Sequence, residues 1–436
     1  MDWAAQWGWN VLNACLQLLT QPFYYISIIV VALGYRRQML LERKLFHTRL
    51  HSWWPQTWRT IWSGLAAGLL VSLIGLFIGA HLTAGAVISL WVCTGLLMLL
   101  RVRYLCFAYA AGLLGVVQFI LGLADNWRPE GWLGNVTTAI RGLDMPALLL
   151  LVAVLHIAEA LLLLWKRGTS ATPMYFEGKR GRLVGGYRME EYWPVPLLLL
   201  VPVQEGGLAL PWPTLFGDQT GYMLAALPII IGFSGLTTGR LPIHKAASSA
   251  RRLLLYSLGL LVLSLLAVWW SPLMLVAALF SFLAHEALVW FDSFEESQLS
   301  PLYVHPEEGL RVLAVLPGSP ADELGIIAGE AVYRVNGMPI RSREDLHQSL
   351  RMNAAFCKLE IRNLRGESKF LQRGLYEGDH HQLGLVLAPD ADEGWSVPAR
   401  QASIYQVIAM RTGARRRKAR DSGQGLPGRA QNPVDM

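Results

Sequence analysis

The sequence is poor in cysteine, and its few cysteines are far apart. The chain has four in 436 residues, namely Cys15, Cys93, Cys106 and Cys357. Their spacing matches neither a disulfide framework nor a zinc-finger pattern. Three of them lie in or beside apolar runs, where cysteine behaves as a small hydrophobic side chain. The sequence therefore excludes a small disulfide-stapled scaffold, and we assign no metal ligands and no cofactor from it.

Charged residues are also scarce. They make up 16% of the chain, whereas 53% of the residues are hydrophobic, which exceeds the usual apolar fraction of soluble domains. The excess is concentrated in runs of about 16 to 21 residues, about the length of a helix that crosses a bilayer. The first run lacks a small-residue cleavage site, so we interpret it as an anchor and not as a removed signal peptide.

The apolar runs define nine candidate membrane spans. They cover residues 16–35, 60–80, 82–100, 104–124, 146–165, 194–210, 221–238, 253–270 and 272–291. The first, with Gln17, Gln21 and Pro22, and the sixth, with Pro196 and Pro202, are the weakest candidates. The last two are joined only by Ser271-Pro272, so those two can also be read as one kinked helix. We expect a polytopic α-helical membrane protein with seven to nine spans, in a transmembrane domain of residues 1–295.

Basic residues occur in alternate loops. The loops after the first, third, fifth and seventh spans are rich in arginine and lysine, and the loops between them have mixed charge or net acidity. Positive loops face the cytoplasm in most membrane proteins. Nine spans then predict an external N-terminus and a cytoplasmic chain after Phe291. The net charge of +7 is typical of such loops, so we expect no nucleic-acid partner.

The composition changes near residue 300. Residues from about 302 to 390 form a charged segment with alternating strands and turn signals. "GLRVLAVL" predicts a strand, and "GSPADELG" predicts a short helix that Ser319 caps and Gly325 ends. "AVYRVNGMPI" predicts two strands around an Asn-Gly turn. In "SREDLHQSL", Ser342 and Asp345 have the spacing of a capping box. "FCKLEIRN" and "QLGLVLAP" predict further strands.

This pattern resembles a bacterial PDZ domain, an α+β fold, and we assign it residues 300–396. Glu330 stands where that family usually has aspartate. PDZ domains add a peptide as a strand beside an exposed sheet edge and hold its carboxylate on a glycine-containing loop. By resemblance to circularly permuted bacterial members, the predicted groove consists of Leu383, Gly384, Leu385 and Val386 on the last strand, facing Leu346, His347 and Leu350 on a helix. Two alternatives stay open: Gly309 could provide the loop, or Gly384 could simply begin an ordinary strand.

An intramembrane protease is the alternative class. His285-Glu286 lacks the second histidine of the H-E-x-x-H zinc-protease motif. "GFSG" at 232–235 resembles the serine motif of rhomboid proteases, but Arg240 follows Ser234 within six residues, so we expect a helix that is ending there. A small-residue contact between helices is the alternative interpretation of this motif. We expect no catalytic residues and no enzyme activity.

Four ionisable residues fall within the predicted spans, namely His156, Glu159, His285 and Glu286. Such residues are costly in hydrocarbon and raise the possibility of a functional site. His156 and Glu159 are three residues apart on one helix face, so we expect them to satisfy each other. We interpret the four residues as a polar clamp between helices, with a transport or metal role as the alternative.

The tail at residues 397–436 carries a basic cluster from Arg415 to Arg420, and we expect it to be disordered. Anionic lipid is its expected partner, and a solvated basic tail without a partner is the alternative. The chain as a whole resembles the MinJ family, the membrane PDZ proteins of division-site selection in Gram-positive rods. The resemblance rests on the first span, on "GYRRQMLLERKLFHTRL" in the first basic loop, on the multispan body and on the C-terminal PDZ motif. It implies a non-enzymatic adaptor at the septum and poles that bridges DivIVA-like and MinD-like partners. The oligomeric state stays open, with a homo-oligomer as one option.

Overall fold

The structure is a computed structural model that describes residues 3–124, 126–178, 181–203, 207–216, 221–353, 355–374, 376 and 383–390. Nine α-helices come before the PDZ segment in the described part of the chain: α1 (Trp3–Thr20), α2 (Pro22–Phe46), α3 (Trp53–Ile78), α4 (Ala84–Leu100), α5 (Phe107–Leu123), α6 (Gly131–Arg141), α7 (Met145–Lys166), α8 (Pro242–Trp269) and α9 (Leu273–Gln298). Helix α7 lies at the centre of the bundle, since most of its side chains are buried.

Four of the described helices are long and apolar enough to cross a membrane, namely α3, α7, α8 and α9. Helices α1 and α2 are bent by 56° at Gln21 and bring the number to five if together they form one span. Helices α4 and α5 are apolar but have only 17 residues each. The chain is therefore a helical membrane protein, although these helices do not reach the predicted seven to nine spans.

The predicted helical spans at 194–210 and 221–238 were wrong. Strands β1 (Thr172–Glu177), β2 (Leu183–Pro202) and β3 (Tyr222–Thr237) form an antiparallel sheet in the order β1-β2-β3. Pro196 of β2 lies opposite Pro228 of β3, and proline disrupts a helix interior because it lacks an N–H and clashes with the preceding turn. A short apolar run does not by itself distinguish a buried strand from a buried helix.

Helix α3 accommodates strand β2 through a row of small residues. A side chain added at Gly64 or at Gly68 would place its Cβ 2.2 Å from the carbonyl oxygen of Pro194 or Pro196. One turn further on, the Ser72 hydroxyl accepts the Leu198 N–H at 2.8 Å. The row therefore allows a strand backbone to approach a helix and supplies one of the hydrogen-bond partners that a buried strand needs.

The C-terminal domain has the predicted elements and one more. Its helices are α10 (Pro320–Glu323) and α11 (Arg343–Met352), and its strands are β4 (Leu310–Val315), β5 (Ala331–Val335), β6 (Met338–Pro339), β7 (Phe356–Arg362), β8 (Ser368–Gly374) and β9 (Leu385–Leu387). The sheet order is β8-β7-β5-β4-β9, and β6 pairs with β5. Strand β8 was missed in the sequence.

The predicted local signals in this domain are confirmed. Ser319 caps α10, and Ser342 and Asp345 form both hydrogen bonds of the capping box on α11. Asn336 and Gly337 both have positive φ, as a tight hairpin turn between β5 and β6 requires. The last six residues of the predicted 300–396 domain and the predicted tail at 397–436 lie outside the described residues.

The C-terminal domain packs against the membrane part through a second apolar cluster. We call this the docking cluster; its fully or nearly buried members include Leu163, Tyr175, Tyr187, Ala246, Ala250, Tyr303, Leu313, Ala314 and Val386. Tyr187 donates its hydroxyl proton to the Leu313 carbonyl oxygen, and Gly185 N–H donates to the Tyr303 carbonyl oxygen at 2.9 Å. The face of β4 and β9 opposite the PDZ core is therefore covered by the membrane part.

Candidate functional site

Strand β9 has the position that a peptide-binding edge strand requires. It pairs antiparallel with β4 and is the last strand of its sheet. Gly384 accepts the Leu316 N–H, and Ala388 donates its N–H to Arg311. Because backbone groups alternate in direction along a strand, Leu385 and Leu387 point their N–H and C=O groups toward the outer edge. An added peptide strand would pair with these groups.

The predicted loop residues have left-handed backbones. Leu383 has φ 57° and Gly384 has φ 80°. A Cβ at Gly384 would lie 2.2 Å from the Cβ of Ser319, the residue that caps α10. The start of β9 therefore runs so close to the turn at residues 317–321 that only glycine fits at position 384, whether or not a ligand binds. Residues 377–382, which lead into this loop, lie outside the described residues.

The helix that faces β9 supplies apolar side chains. Leu346 and Leu350 of α11 are buried in one core cluster with Leu383 and Leu385. His347 is only partly buried, so it is the predicted wall residue that a partner could reach. Val386 lies in the docking cluster instead, with its side chain on the other face of the sheet. The structure thus packs four of the seven predicted residues together, namely Leu346, Leu350, Leu383 and Leu385, and places Val386 on the other face of the sheet.

The far end of the predicted groove contacts the membrane part. The Tyr175 hydroxyl of β1 donates to the Leu387 carbonyl oxygen at 3.2 Å, on the outer edge of β9. Arg343 donates from Nη2 to the Ala388 carbonyl oxygen at 3.2 Å. Phe46 packs edge-on against Tyr175, with ring centroids 5.4 Å apart. The outer edge at Leu387 is therefore occupied while the two parts of the protein are docked.

The alternative loop residue lies elsewhere. Gly309 precedes β4, has φ 92° and donates its N–H to the Ile340 carbonyl oxygen. A Cβ there would lie 2.8 Å from the Val332 carbonyl oxygen. The close approach to β5 is enough to explain why position 309 is glycine, so no ligand is needed to account for it. Gly309 also lies away from the outer edge of β9.

The rhomboid-like motif is not at a helix end. Ser234 lies within β3, opposite Glu190 of β2, and its side chain is hydrogen-bonded to Tyr192. The expected helix at "GFSG" was wrong, and so was its interpretation as a contact between helices. His285 lies on α9, where its ring packs against the rings of Tyr109, His156 and Tyr256.

The intramembrane ionisable residues form two groups. Glu286 pairs with Arg103 and accepts the Tyr109 hydroxyl at 2.8 Å, which fits the expected polar clamp between helices. His156 does not pair with Glu159 as expected. Its Nδ1 lies 2.7 Å from the Val152 carbonyl oxygen.

The Nε2 atom of His156 lies 3.1 Å from Cys106 Sγ, and that sulfur lies 3.7 Å from His285 Nε2. Cys106 was not predicted from the sequence, because the three residues come from separate apolar segments with no local spacing to connect them. Only the packing of the helices brings their side chains together.

Comparisons with known proteins agree with this architecture. The PDZ domain family matches residues 311–363. The chain is 29% identical over 398 residues to "Cell division topological determinant MinJ" of Bacillus subtilis (strain 168), which covers 90% of this chain and 99% of that protein. Two proteins named "Probable cell division topological determinant MinJ", from Lacticaseibacillus paracasei and Lacticaseibacillus casei (strain BD-II), are 24% identical over 72% of this chain and 86% of their own length. These names describe no catalytic activity. The chain is thus similar to MinJ proteins over most of its length and carries a C-terminal PDZ domain.

Proposed function

We propose that this protein is a non-enzymatic membrane scaffold in division-site selection. It links a DivIVA-like polar or septal protein to a MinD-like ATPase and binds partners in part through its PDZ domain. The observation that carries this proposal is the similarity to a cell division topological determinant over 90% of the chain and 99% of that relative. A similarity of this extent includes the membrane part as well as the PDZ domain.

We infer that the PDZ domain recruits a partner peptide at the outer edge of β9. The edge groups of Leu385 and Leu387, with His347 opposite, match the way in which PDZ domains add a strand. The Tyr175 hydroxyl already uses the Leu387 carbonyl oxygen. A peptide that extends along the whole edge therefore competes with the membrane part, and partner binding is coupled to release of the PDZ domain from the docking cluster.

The C-terminal domain is proposed to be cytoplasmic. The basic ends of α2 and α7, with Arg43, Lys44 and Lys166, and the basic start of α8 lie at the same end of the bundle as the docking cluster. Basic residues favour the cytoplasmic side. Replacing two predicted helical spans by one hairpin leaves this assignment unchanged, because a hairpin returns to the side from which it started.

Two experiments on the full-length protein test the proposal. The first is affinity purification from native membranes after mild crosslinking; we expect DivIVA-like and MinD-like proteins in the eluate, and their absence at normal expression would overturn the bridging role. The second is a reporter fused after Met436, which should be active only when the reporter requires the cytoplasm. An external signal would contradict the assigned side without affecting the first result.

A further inference from the structure

We propose that one zinc ion, or a similar transition-metal ion, binds between α5, α7 and α9 with Cys106, His156 and His285 as its ligands. This site goes beyond the scaffold function and does not depend on it. The three ligand atoms lie within 4.8 Å of one another. Cys106 immediately precedes α5, His156 lies in the middle of α7, and His285 lies on α9, so a single ion would join three separate helices.

The distances fit a tetrahedral ion. Zinc binds cysteine sulfur at about 2.3 Å and histidine nitrogen at about 2.0–2.1 Å, so neighbouring ligand atoms are about 3.5 Å apart around it. The two observed sulfur-to-nitrogen distances, 3.1 and 3.7 Å, lie on either side of this value. Thiolate and imidazole together are ligands that favour zinc over magnesium or calcium, which prefer oxygen.

The second nitrogen of His156 supports this assignment. His156 Nδ1 lies 2.7 Å from the Val152 carbonyl oxygen. As a donor to that oxygen, Nδ1 carries the proton and leaves the lone pair of Nε2 directed toward Cys106, as is usual for histidines that bind metals. His285 Nδ1 is buried and has no hydrogen-bond partner among the described residues. Neither imidazole is therefore engaged in a way that competes with metal binding.

A cavity gives access to the cluster and leaves room for a fourth ligand. Its volume is about 2390 Å³, and its walls include all three residues together with Glu159. The same cavity extends to His305 and Asp390 beside the PDZ domain. A metal ion could enter from that side, and the fourth position would be filled by water or by the Glu159 carboxylate. Binding converts the Cys106 thiol to a thiolate and releases its proton, with no change of oxidation state.

The test uses the full-length protein, purified in detergent under reducing conditions, loaded with Zn²⁺ and desalted. Elemental analysis should find about one zinc per chain. Co²⁺ loading should give a thiolate-to-cobalt charge-transfer band. Zinc should also protect Cys106 from alkylation, with protection lost on adding a chelator. These measurements on the unchanged chain do not depend on the folding of any variant.

Cys106→Ser should reduce zinc affinity at least tenfold and remove the cobalt band. Cys93→Ser is the matched control, because Cys93 is also a partly buried thiol in the bundle, and it should change neither. The proposal is overturned if the loaded wild-type protein retains less than a tenth of an equivalent of zinc. It is also overturned if the folded Cys106→Ser protein binds zinc as well as the wild type, in which case the three residues form only a hydrogen-bonded cluster.

Discussion

Lys166 Nζ lies 2.9 Å from Glu191 Oε2, and this ion pair joins α7 to strand β2 in the interior of the membrane part. The same ammonium group donates to Thr60 Oγ1 at 3.0 Å and to the Tyr35 hydroxyl at 3.2 Å. Both charged side chains are less than a tenth exposed. The network connects α2, α3, α7 and β2, so it fixes the hairpin at the end of the bundle where the PDZ domain docks.

Removing one member of this pair should be strongly destabilising. Glu191→Gln leaves the Lys166 charge buried without a carboxylate, a change that typically costs about 3–5 kcal/mol. Glu190→Gln on the same strand is the control, because Glu190 is more exposed and only loosely paired with Arg188 at 3.9 Å; it should cost less than about 1 kcal/mol. Thermal unfolding in detergent measures both, and equal effects would show that the buried network is not what stabilises the hairpin.

The contact between α3 and β2 predicts an unusual response to alanine. Gly68→Ala should destabilise the protein by about 1–3 kcal/mol, because the new methyl group overlaps the Pro196 carbonyl oxygen and forces the strand away. Gly95→Ala in α4 has nothing within 4 Å and should be neutral or stabilising by up to about 1 kcal/mol. If Gly68→Ala proves as stable as Gly95→Ala, β2 does not pack on α3 as described.

The Tyr175 hydroxyl should limit access to the PDZ groove. Tyr175→Phe removes its hydrogen bond to the Leu387 carbonyl oxygen, worth about 1 kcal/mol, and frees the outer edge of β9. Partner binding by the full-length protein should therefore rise several-fold, and amide hydrogens of β9 should exchange faster. Tyr333→Phe, on β5 beneath Arg362, is the control and should change neither. Weaker binding by folded Tyr175→Phe would mean that docking assists the groove instead of closing it.

The helix that lines the groove should respond to acid. The N–H groups of Arg341 and Ser342 donate to Asp345 and hold the pKa of its carboxyl below the ordinary value of 3.8. A carboxyl with a lowered pKa in the folded state contributes stability above its unfolded pKa and loses it as the pH falls through the folded value. Protection of the α11 amides from hydrogen exchange, measured relative to their intrinsic exchange rates, should therefore decrease as the pH falls below about 4. Asp345→Asn should weaken this pH dependence, and an unchanged pH dependence would exclude the capping box as its source.

Local patterns in the sequence predicted the PDZ domain well because its signals are short-range. The Ser319 cap, the Asn336-Gly337 turn and the Ser342–Asp345 capping box each involve neighbouring residues, and each is present as predicted. Strand β8 was missed because "SKFLQRG" is mostly polar and is exposed on alternate residues. The predicted groove residues came from the resemblance to circularly permuted PDZ domains, and Val386 among them faces the membrane part, which no PDZ pattern includes.

The membrane part was predicted less well because long-range packing determines it. The apolar run that contains Pro194 and Pro196 has the length of a membrane helix. It forms a strand instead, and the backbone of this strand lies against Gly64 and Gly68. Nothing near those prolines in the sequence identifies the glycines of α3 as their partners. The cluster around Cys106 was missed for the same reason, since its members are separated by at least 50 residues.

The most direct test of the scaffold account is site-specific photocrosslinking in native membranes. A photoreactive phenylalanine analogue replaces His347 in the groove of the full-length protein, and in a second variant it replaces Arg365, in the turn between β7 and β8. The account predicts crosslinks from position 347 to a DivIVA-like or MinD-like protein, with none of these from position 365. Identical products from both positions, or no protein partner at position 347 while the chain is present at its normal level, would contradict it.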